Sequence, residues 1–281
     1  MNYKEAYGFG LAELEKSGIP NATYDARILL EYCCNTNHND LLVHGDRVLS
    51  ENEKNRYTKL INERSKHIPL QYITGTQEFM GITFKVTPSV LIPRQDTEIL
   101  VESVMKNIHD GMTILDMCTG SGCILLSLLH YSNDCIGVGV DISEDAIKVA
   151  EENAFNLGIK ACFLQSDLFA ELEGKFDMIV SNPPYIKSKV IHTLMNEVKD
   201  YEPMLALDGN EDGIYFYHRI IKEAKKHLNR GGQLFFEIGY DQKEVVEDYM
   251  KQEGYIEVST IKDFAGLDRV VLGTFLEEVY V

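Results

Sequence analysis

The apolar positions of this chain follow a helical period near the start and a strand-and-helix alternation later. In residues 1 to about 70 no convincing strand signal occurs. Apolar residues recur there at helical spacing in three stretches, near residues 3–17, 23–34 and 51–66. The shared face of the second stretch would carry Ala26, Leu29, Leu30 and Cys33. The pattern therefore predicts a small helical domain over residues 1–72.

The period changes after Ile73. Glycines and prolines there separate β-branched and aromatic residues, as in Ile82-Thr83-Phe84-Lys85-Val86, which is typical of a hairpin. Residues 73–93 are therefore predicted to form a β-hairpin-like connector between two domains.

Strand and helix signals alternate over residues 94–281, which predicts an α/β domain with a mostly parallel sheet covered by helices on both faces. The helix between the second and third strands has Ser143 as a plausible N-cap and Gly158 as its stop. The last two apolar runs have no long helix between them, so we expect an antiparallel pair that closes the sheet. The seven candidate strands are Thr113–Met117, Ile136–Val140, Ala161–Leu164, Asp177–Val180, Gln233–Ile238, Ile256–Ile261 and Arg269–Phe275.

Composition limits the class of protein. The chain has 281 residues, of which 44% are hydrophobic, enough for a real core. No apolar run approaches the roughly 20 residues of a membrane span, and the start lacks the features of a secretory signal. We therefore expect a cytoplasmic protein without a membrane partner. The six cysteines have neither C-x-x-C spacing nor companion histidines, which predicts reduced thiols and no metal site.

The charge balance bears on the partners. There are 27 Lys and Arg residues against 44 Asp and Glu residues, a formal net charge of −17. Because phosphate neutralisation supplies most non-specific affinity for nucleic acid, direct contact with DNA or RNA is a poor first expectation. A basic protein partner is a better one. Acidity that simply keeps a monomer soluble is an equal alternative.

The sequence Asn182-Pro183-Pro184-Tyr185 directly follows the apolar run that ends at Val180 and Ser181. A strand must end there, because proline has no N–H to donate to a ladder. The loop then presents the Asn182 side-chain oxygen, backbone carbonyls without competing donors, and an aromatic face. These groups suit a planar ligand that carries an NH2. The alternative is that the two prolines merely terminate a strand.

A second polar cluster follows the first predicted strand. The segment Asp116-Met117-Cys118-Thr119-Gly120-Ser121-Gly122 leads into a helix, and its glycines let a ligand approach bare backbone at the helix N-terminus. A dinucleotide fingerprint would have a third glycine where Leu125 stands, so a pyrophosphate-binding NAD site is disfavoured. Taken alone, the loop is equally compatible with a structural turn.

Two aspartates after the next strands make this cluster more specific. Asp141 ends the second strand, where a carboxylate accepts hydrogen bonds from both ribose hydroxyls. Asp167 is placed to accept from an adenine amino group, with Leu168 packed on the ring. An adenosine without phosphates fits such a crevice, and S-adenosyl-L-methionine is the obvious candidate. The predicted cofactor-binding residues are Asp116, Cys118, Thr119, Gly120, Ser121, Gly122, Asp141, Ile142, Asp167, Leu168 and Asn182.

Together these motifs resemble a class I S-adenosylmethionine-dependent methyltransferase acting on an amide or exocyclic amine nitrogen. Further segments, over essentially the whole chain, are similar to the peptide chain release factor glutamine methyltransferase family: 69–75, 92–98, 201–203, 206–209 and 265–269. The resemblance implies a seven-stranded Rossmann-like methyltransferase domain and a helical domain that docks the release factor. It also implies methylation of the glutamine in the Gly-Gly-Gln loop of bacterial release factors to N5-methylglutamine.

A glutamine amide nitrogen is a poor nucleophile, because its lone pair is delocalised into the carbonyl. If the Asn182 side-chain oxygen and the Pro183 carbonyl each accept one N–H, the lone pair is aimed at the methyl group, while Tyr185 holds the amide plane by packing. Asn182, Pro183 and Tyr185 are thus the predicted catalytic residues, and Pro184 completes the predicted substrate-binding loop. The chain departs from the family's usual residues at Gln95, Cys118, Asn210 and Leu267. Of these, Cys118 replaces a common glycine and is placed to crowd the methionine moiety, which affects cofactor affinity.

Other residues have open roles. Arg94 and Glu98 are expected to anchor the connector, to orient substrate or to pair with each other. Glu237 is expected to form an internal hydrogen bond rather than act in catalysis. Gly231-Gly232-Gln233 reproduces the substrate motif, but turn glycines before a strand explain it.

Two other functions compete with this interpretation. A methyltransferase for adenine or cytosine amino groups in nucleic acid would grip a flipped base with the same loop, although it needs a basic groove. A non-catalytic S-adenosylmethionine-binding protein associated with translation is the other, and the intact Asn182 and Tyr185 argue against it.

Overall fold

The computed structural model describes residues 1–276, so the last five residues of the predicted 94–281 domain lie outside the described part. Two compact units are present. One comprises Met1–Thr76 together with Met195–Tyr201, and the other comprises Gln77–Leu194 together with the chain from Glu202 onward. The return of residues 195–201 to the first unit has no counterpart in the predicted domain division, which otherwise stays a prediction.

Helices and short sheets follow one another in the order that the hydrophobic pattern predicts. The helices of the described residues are α1 Tyr3–Lys16, α2 Ala22–Cys34, α3 His38–Val43, α4 Glu51–Arg64, α5 Leu70–Thr74, α6 Gln95–Met105, α7 Cys123–Tyr131, α8 Glu144–Leu157, α9 Ser188–Ile191, α10 Asn196–Lys199, α11 Met204–Leu207, α12 Tyr215–Ala224 and α13 Lys243–Gln252. The strands are β1 Thr76–Phe79, β2 Ile82–Lys85, β3 Thr113–Met117, β4 Ile136–Asp141, β5 Cys162–Gln165, β6 Phe176–Ser181, β7 Leu228–Glu237, β8 Tyr255–Lys262 and β9 Asp268–Phe275.

The first unit is helical, as the pattern predicts. The three predicted stretches correspond to α1, α2 and α4, and capping boxes at Asn2 and Ser50 start two of them. Their buried faces meet in one apolar core. Inside the unit, Arg64 Nε lies 2.6 Å from Asp25 Oδ2, and Arg64 Nη2 lies 2.5 Å from Glu197 Oε1. Because a buried guanidinium needs such partners, this ion triad holds the returning segment that carries Glu197 within the unit.

The predicted connector contains a two-stranded sheet of β1 and β2. Its turn residue Met80 has a φ of +51° and donates its N–H to Glu98 Oε1 at 2.7 Å. Glu98 therefore anchors the connector, one of the three roles that the sequence left open, and it does so from the first turn of α6.

The large sheet has seven strands in the order β5-β4-β3-β6-β7-β9-β8. The strands β3 to β7 run parallel, whereas β9 is antiparallel to both β7 and β8. Both the mostly parallel sheet and the closing antiparallel pair are thus confirmed. The helix α8 begins and ends as predicted, with the Ser143 hydroxyl capping the Ala146 N–H and Gly158 as its left-handed C-cap.

Strand β7 begins five residues earlier than predicted. Its partner register jumps between Phe176↔Leu228 and Met178↔Gln233, so extra residues bulge between them. Gly231, with a φ of +81°, lies within this bulge, where a left-handed backbone suits glycine. The Gly-Gly-Gln sequence is therefore part of an irregular strand rather than a turn before one.

Apolar layers cover both faces of the sheet. Alternate residues of β7 show this, since Phe236 belongs to the layer with Tyr217 of α12 whereas Phe235 belongs to the layer with Leu100 of α6. The carboxyl ends of the parallel strands share one edge, because Met117 pairs with both Val140 and Ser181. The loops after β3, β4 and β6 therefore meet there. Across residues 1–276 no helix combines the length and apolar character of a membrane span.

Candidate active site

A cleft opens at this carboxyl edge of the sheet. The cofactor loop is defined as residues 118–122 after β3, and the NPPY loop as residues 182–185 after β6. The cleft is lined by the first four residues of the cofactor loop, by the end of β4, by residues 166–168 after β5 and by the first residue of the NPPY loop. The lining residues are Ser89, Val90, Leu91, Pro93, Arg94, Thr97, Met117, Cys118, Thr119, Gly120, Ser121, Cys123, Ile124, Val140, Asp141, Ile142, Ser143, Ala146, Ser166, Asp167, Leu168, Asn182, Pro203, Leu205, Ala206 and Phe216. Nine of the eleven predicted cofactor-binding residues are therefore brought together.

The cofactor loop folds tightly between β3 and α7. The Thr119 N–H donates to the Val140 carbonyl at 2.9 Å, which ties the loop to the neighbouring strand. Gly122, with a φ of +78°, precedes α7, and a Cβ there would lie 3.2 Å from the Ala150 side chain. Glycine at 122 therefore permits both the turn and the packing of α8 against it. Gly122 is buried beneath the cleft and does not line it.

Asp141 is held by backbone donors from two loops. Its Oδ2 accepts the Gly120 N–H and its Oδ1 accepts the Ser143 N–H, each at 2.9 Å. Burial raises the pKa of Asp141, and these N–H groups oppose the shift. Each carboxylate oxygen retains a second lone pair, so the side chain can still accept hydrogen bonds from a diol in the cleft.

Asp116 lies beneath the cofactor loop, not in the cleft. The side chain is fully buried, and Oδ2 accepts the Thr119 hydroxyl at 2.6 Å. Oδ1 is buried without a well-formed hydrogen bond among the described residues. Burial raises the pKa of Asp116 to about 7, although the Thr119 hydroxyl and the Leu125 backbone N–H oppose the shift. Asp116 thus supports the loop, so the prediction of direct cofactor contact is replaced by an indirect role.

Asp167 and Leu168 form the far wall of the cleft. Leu168 is buried and has a φ of +52°. Asp167 Oδ1 lies 3.0 Å from Arg219 Nη1 of α12, while the same guanidinium lies over the Tyr215 ring. The carboxylate is therefore oriented by a cation from another element.

The charges in the cleft fit an adenosine that carries no phosphate. Among the lining residues of the described chain, Arg94 is the one basic side chain, and it pairs with the buried Glu202. An ion pair between Arg94 and Glu98, one of their expected roles, does not occur among the described residues. The acidic Asp141 and Asp167 face the same space. These two carboxylates would repel a pyrophosphate, whereas they can accept hydrogen bonds from ribose hydroxyls and an amino group and attract a positive sulfonium, so the residues fit S-adenosylmethionine.

The Asn182 amide has a defined orientation at the other end of the cleft. Its Nδ2 donates to Thr97 Oγ1 at 3.2 Å, which leaves its oxygen directed away from that contact. Pro183 and Pro184 are buried behind it, and Tyr185 is half-buried. Thr97, a residue that the sequence reasoning did not single out, is itself buried in the first turn of α6.

Tyr185 is fixed at both its side chain and its backbone. Its hydroxyl donates to Glu237 Oε1 at 3.1 Å, and its carbonyl accepts from Gln242 Nε2 at 3.1 Å. Burial raises the pKa of both Tyr185 and Glu237. The predicted internal hydrogen bond of Glu237 is therefore confirmed. Its partner is a member of the NPPY loop.

Sequence reasoning missed several residues that line the cleft or contact its side chains. Arg219 has no motif around it, and Phe216 belongs to an ordinary amphipathic helix. Thr97 lies within segment 92–98, which carried the family resemblance, so that segment was the available signal. The partner residues themselves depend on which strands and helices become neighbours.

Known proteins match almost the entire chain. The model of the PrmC N-terminal domain matches residues 5–75, and the model of the methyltransferase small domain matches residues 94–210. A release factor glutamine methyltransferase of Clostridium acetobutylicum is 44% identical and is aligned over 97% of this chain and 98% of its own. One of Geobacter sulfurreducens is 41% identical over 92% of each chain.

Solved structures match the fold. The 16S rRNA N2 G1207 methyltransferase of T. thermophilus, in complex with AdoMet and guanosine, superposes with a TM-score of 0.53 at 19% identity, over 71% of this chain and 49% of that one. This likeness confirms the Rossmann-like methyltransferase architecture. With relatives above 40% identity along almost the entire sequence, the chain belongs to the release factor glutamine methyltransferase family.

Proposed function

We propose that this protein transfers a methyl group from S-adenosyl-L-methionine to the side-chain amide nitrogen of the glutamine in the Gly-Gly-Gln loop of bacterial peptide chain release factors. Membership of the family supports the reaction and the substrate. The observation that carries the proposal is the Asn182 amide, whose nitrogen donates to Thr97 and whose oxygen is thereby directed away from that contact.

The cofactor end of the cleft binds and orients S-adenosylmethionine. S-adenosylmethionine supplies a methyl group activated by its positive sulfonium. Asp141 accepts from the ribose hydroxyls while its backbone donors hold it still. Asp167 accepts from the adenine amino group, and Leu168 packs against the ring. The cofactor loop, including Cys118, borders the methionine end.

The NPPY loop orients the glutamine amide. The Asn182 oxygen and the Pro183 carbonyl each accept one N–H, which favours a pyramidal nitrogen with its lone pair turned towards the methyl group. Tyr185 packs along the amide plane. Such positioning is worth roughly 7–11 kcal/mol in favourable systems, and no base is required before attack. Transfer of the methyl group would leave a neutral thioether on the cofactor, and the methylated nitrogen would then lose its extra proton to water.

The proposal includes a cytoplasmic, monomeric enzyme whose partner is the release factor and which contacts neither nucleic acid nor membrane directly. Two observations argue against direct contact with nucleic acid, because a flipped nucleotide brings phosphates with it. These are the net charge of −17 and the fact that the single basic side chain of the cleft, Arg94, is already paired. The rival base methyltransferase would need cations for those phosphates, and the one basic side chain among the described lining residues, Arg94, is already paired with Glu202.

Methyl transfer from labelled S-adenosylmethionine tests the proposal. The substrates are purified release factor, the same factor with Gly-Gly-Ala in place of Gly-Gly-Gln, and duplex DNA. We expect label on the intact factor alone. Label on DNA would favour the base methyltransferase, and binding of the cofactor without transfer to either substrate would favour the non-catalytic protein.

A further inference from the structure

A short segment braces the NPPY loop at its carboxyl end. The Ile186 N–H, directly after the loop, donates to the Leu207 carbonyl at 3.1 Å, and the Gly209 N–H donates to the Ile186 carbonyl at 2.8 Å. Residues 207–213, called the brace segment, thus pair through a parallel bridge with the chain that leaves the loop. Residues 206–209 carried part of the family resemblance, yet the proposed reaction assigns them no role.

Two glycines of the brace segment lie against the backbone of Tyr185. A Cβ at Gly209 would lie 2.7 Å from Tyr185 Cα, and a Cβ at Gly213 would lie 2.5 Å from the Tyr185 carbonyl oxygen. Both distances are shorter than side-chain carbons adopt in proteins. Gly213 also has a φ of +77°, which glycine adopts without strain. Backbone therefore meets backbone here, and the place of Tyr185 depends on the absence of side chains at both positions.

Gln242 joins the two backbones from a third element. Its side chain belongs to a residue that is 4% exposed and that directly precedes α13. Oε1 accepts the Gly239 N–H at 2.8 Å, and because a backbone N–H can only donate, this hydrogen bond fixes the orientation of the amide. Nε2 then donates to the Tyr185 carbonyl at 3.1 Å and to the Gly213 carbonyl at 3.0 Å. The amide nitrogen therefore spends one hydrogen on the NPPY loop and the other on the brace segment.

The prolines alone do not determine the carboxyl end of the NPPY loop. Proline fixes φ at Pro183 and Pro184, but it leaves the ψ of Pro184 and both dihedrals of Tyr185 open. These dihedrals decide where the Tyr185 ring lies relative to the Asn182 amide. The contacts at Tyr185 Cα and at its carbonyl oxygen remove this freedom. The geometry of the loop is therefore completed by residues outside it.

We propose that Gln242, together with Gly209 and Gly213, positions the NPPY loop for methyl transfer by holding the Tyr185 backbone. The Tyr185 ring then lies where it can pack along the substrate amide that Asn182 accepts. This inference rests on the proposed function, because it takes the substrate amide to lie against Tyr185. None of the three is among the described lining residues of the cleft, so they are positioning residues that act through Tyr185.

A matched pair of glycine variants tests whether this close approach matters for the reaction. Gly213→Ala adds a Cβ that must push the Tyr185 carbonyl, whereas Gly111→Ala adds one that meets no described atom within 4 Å. Gly111 has a φ of +79°, so both variants carry the same kind of backbone strain and only the first carries the push. We expect Gly213→Ala to lower kcat for methylation of release factor roughly 10- to 100-fold, as a displacement of about 1 Å does. Gly111→Ala should keep wild-type kcat.

Gln242→Met tests the hydrogen-bonding side of the brace, because it removes the amide and keeps an unbranched side chain of similar length. We expect a loss of kcat in the same range, while the dissociation constant for S-adenosylmethionine stays within about twofold and so shows that the variant is folded. The double variant with Gly213→Ala should be within about threefold of the slower single variant, because both act through the Tyr185 carbonyl. Wild-type kcat in both single variants, or a loss of cofactor affinity as large as the loss of kcat, would overturn the inference.

Backbone hydrogen exchange distinguishes failure of this inference from failure of the proposed function, because it needs no substrate. The N–H groups of Ile186 and Gly209 report the bridge between the NPPY loop and the brace segment, and the Thr119 N–H of the cofactor loop is the internal reference. We expect the first two to exchange at least about tenfold faster in Gly213→Ala and Gln242→Met than in wild type, with the reference unchanged. Equal exchange in all three proteins would contradict the inference whatever the substrate is. Wild-type protein that leaves release factor unmethylated would instead contradict the proposed function alone.

Discussion

The two ends of the cleft are built in different ways. At the cofactor loop, Asp141 is held by backbone N–H groups 21 and 2 positions away, from the loops of two consecutive strand-loop-helix units. At the NPPY loop, Asn182 is held by a side chain 85 positions away and Tyr185 by one 52 positions away. Backbone donors are fixed by the course of the chain, whereas side-chain partners depend on how distant elements pack. The contacts of Asp141 are therefore made by backbone of neighbouring loops, whereas those of Asn182 and Tyr185, like the Arg219 contact of Asp167, depend on the tertiary structure.

Removing the amide of the NPPY loop should give the largest effect. Asn182→Ala deletes the oxygen that is proposed to accept a substrate N–H, so we expect turnover to fall by at least about 10³-fold. Most cofactor binding should remain, because Asp141 and the cofactor loop are untouched. Single-turnover methylation and calorimetric titration with S-adenosylmethionine measure the two quantities.

Asn156→Ala, on the exposed face of α8, is the matched control and should retain wild-type turnover. Near-normal turnover of Asn182→Ala would remove the NPPY loop from the mechanism. A parallel loss of cofactor binding would instead mean that the two ends of the cleft are not separable.

The next largest effect is expected for Asp116, the buried carboxyl beneath the cofactor loop, and it concerns the free energy of unfolding. The folded-state pKa of Asp116, raised by burial to about 7, exceeds the ordinary value of 3.8. Between these values the folded protein binds more protons than the unfolded chain, so this group's contribution falls as pH rises. Relative to Asp116→Asn, the wild-type free energy of unfolding should therefore decline by up to about 4 kcal/mol from pH 4 to pH 7.

Urea unfolding of both proteins at several pH values measures this difference without the cofactor. The exposed Asp145→Asn on α8 serves as the control for the loss of a surface carboxylate. A wild-type protein that gains stability relative to Asp116→Asn as pH rises would show that Asp116 is ionised and well satisfied in the folded state.

The contrast between local backbone donors and distant side-chain partners also decides what could be predicted from the sequence. The strand ends, the glycine turn and Asp141 follow from local patterns, because hydrophobic period, turn residues and position after a strand are all visible in one stretch. Thr97, Glu237 and Arg219 act through partners that only the strand order brings together. Glu237 was expected to be hydrogen-bonded, yet its link to Tyr185 requires β7 beside β6. The return of residues 195–201 to the helical unit likewise has no periodic signal.

A change at Asp141 should affect binding rather than chemistry. Asp141→Asn places an amide NH2 opposite either the Gly120 or the Ser143 N–H, and it removes a charged acceptor for the ribose. We expect the dissociation constant of S-adenosylmethionine to rise roughly 10- to 100-fold, since hydrogen bonds to charged groups are worth about 1.5–3 kcal/mol. At saturating cofactor, kcat should stay within about threefold of wild type. A large loss of kcat with unchanged affinity would mean that the cofactor end also positions the substrate.

The smallest effect concerns Cys118 in the cofactor loop. Its φ of +64° lies in the left-handed region, which costs a residue with a Cβ about 1 kcal/mol. Cys118→Gly removes that cost but adds freedom to the unfolded chain, so the free energy of unfolding should change by less than about 1 kcal/mol. Cys118→Val, with a β-branched side chain in the same conformation, should destabilise by about 1–3 kcal/mol.

Cys118 can affect both the strain of the backbone and the binding of the cofactor, because it also lines the cleft. Measuring cofactor affinity separates the second effect from the first. If it crowds the methionine moiety, Cys118→Gly binds S-adenosylmethionine more tightly at nearly unchanged stability. Weaker binding by Cys118→Gly would instead make the thiol a favourable contact, and the backbone of the cofactor loop would then tolerate the strain in exchange for that contact. Denaturant unfolding and calorimetric titration of the three proteins measure both quantities, and a stability loss above 1 kcal/mol in Cys118→Gly would show that packing of the thiol outweighs backbone strain.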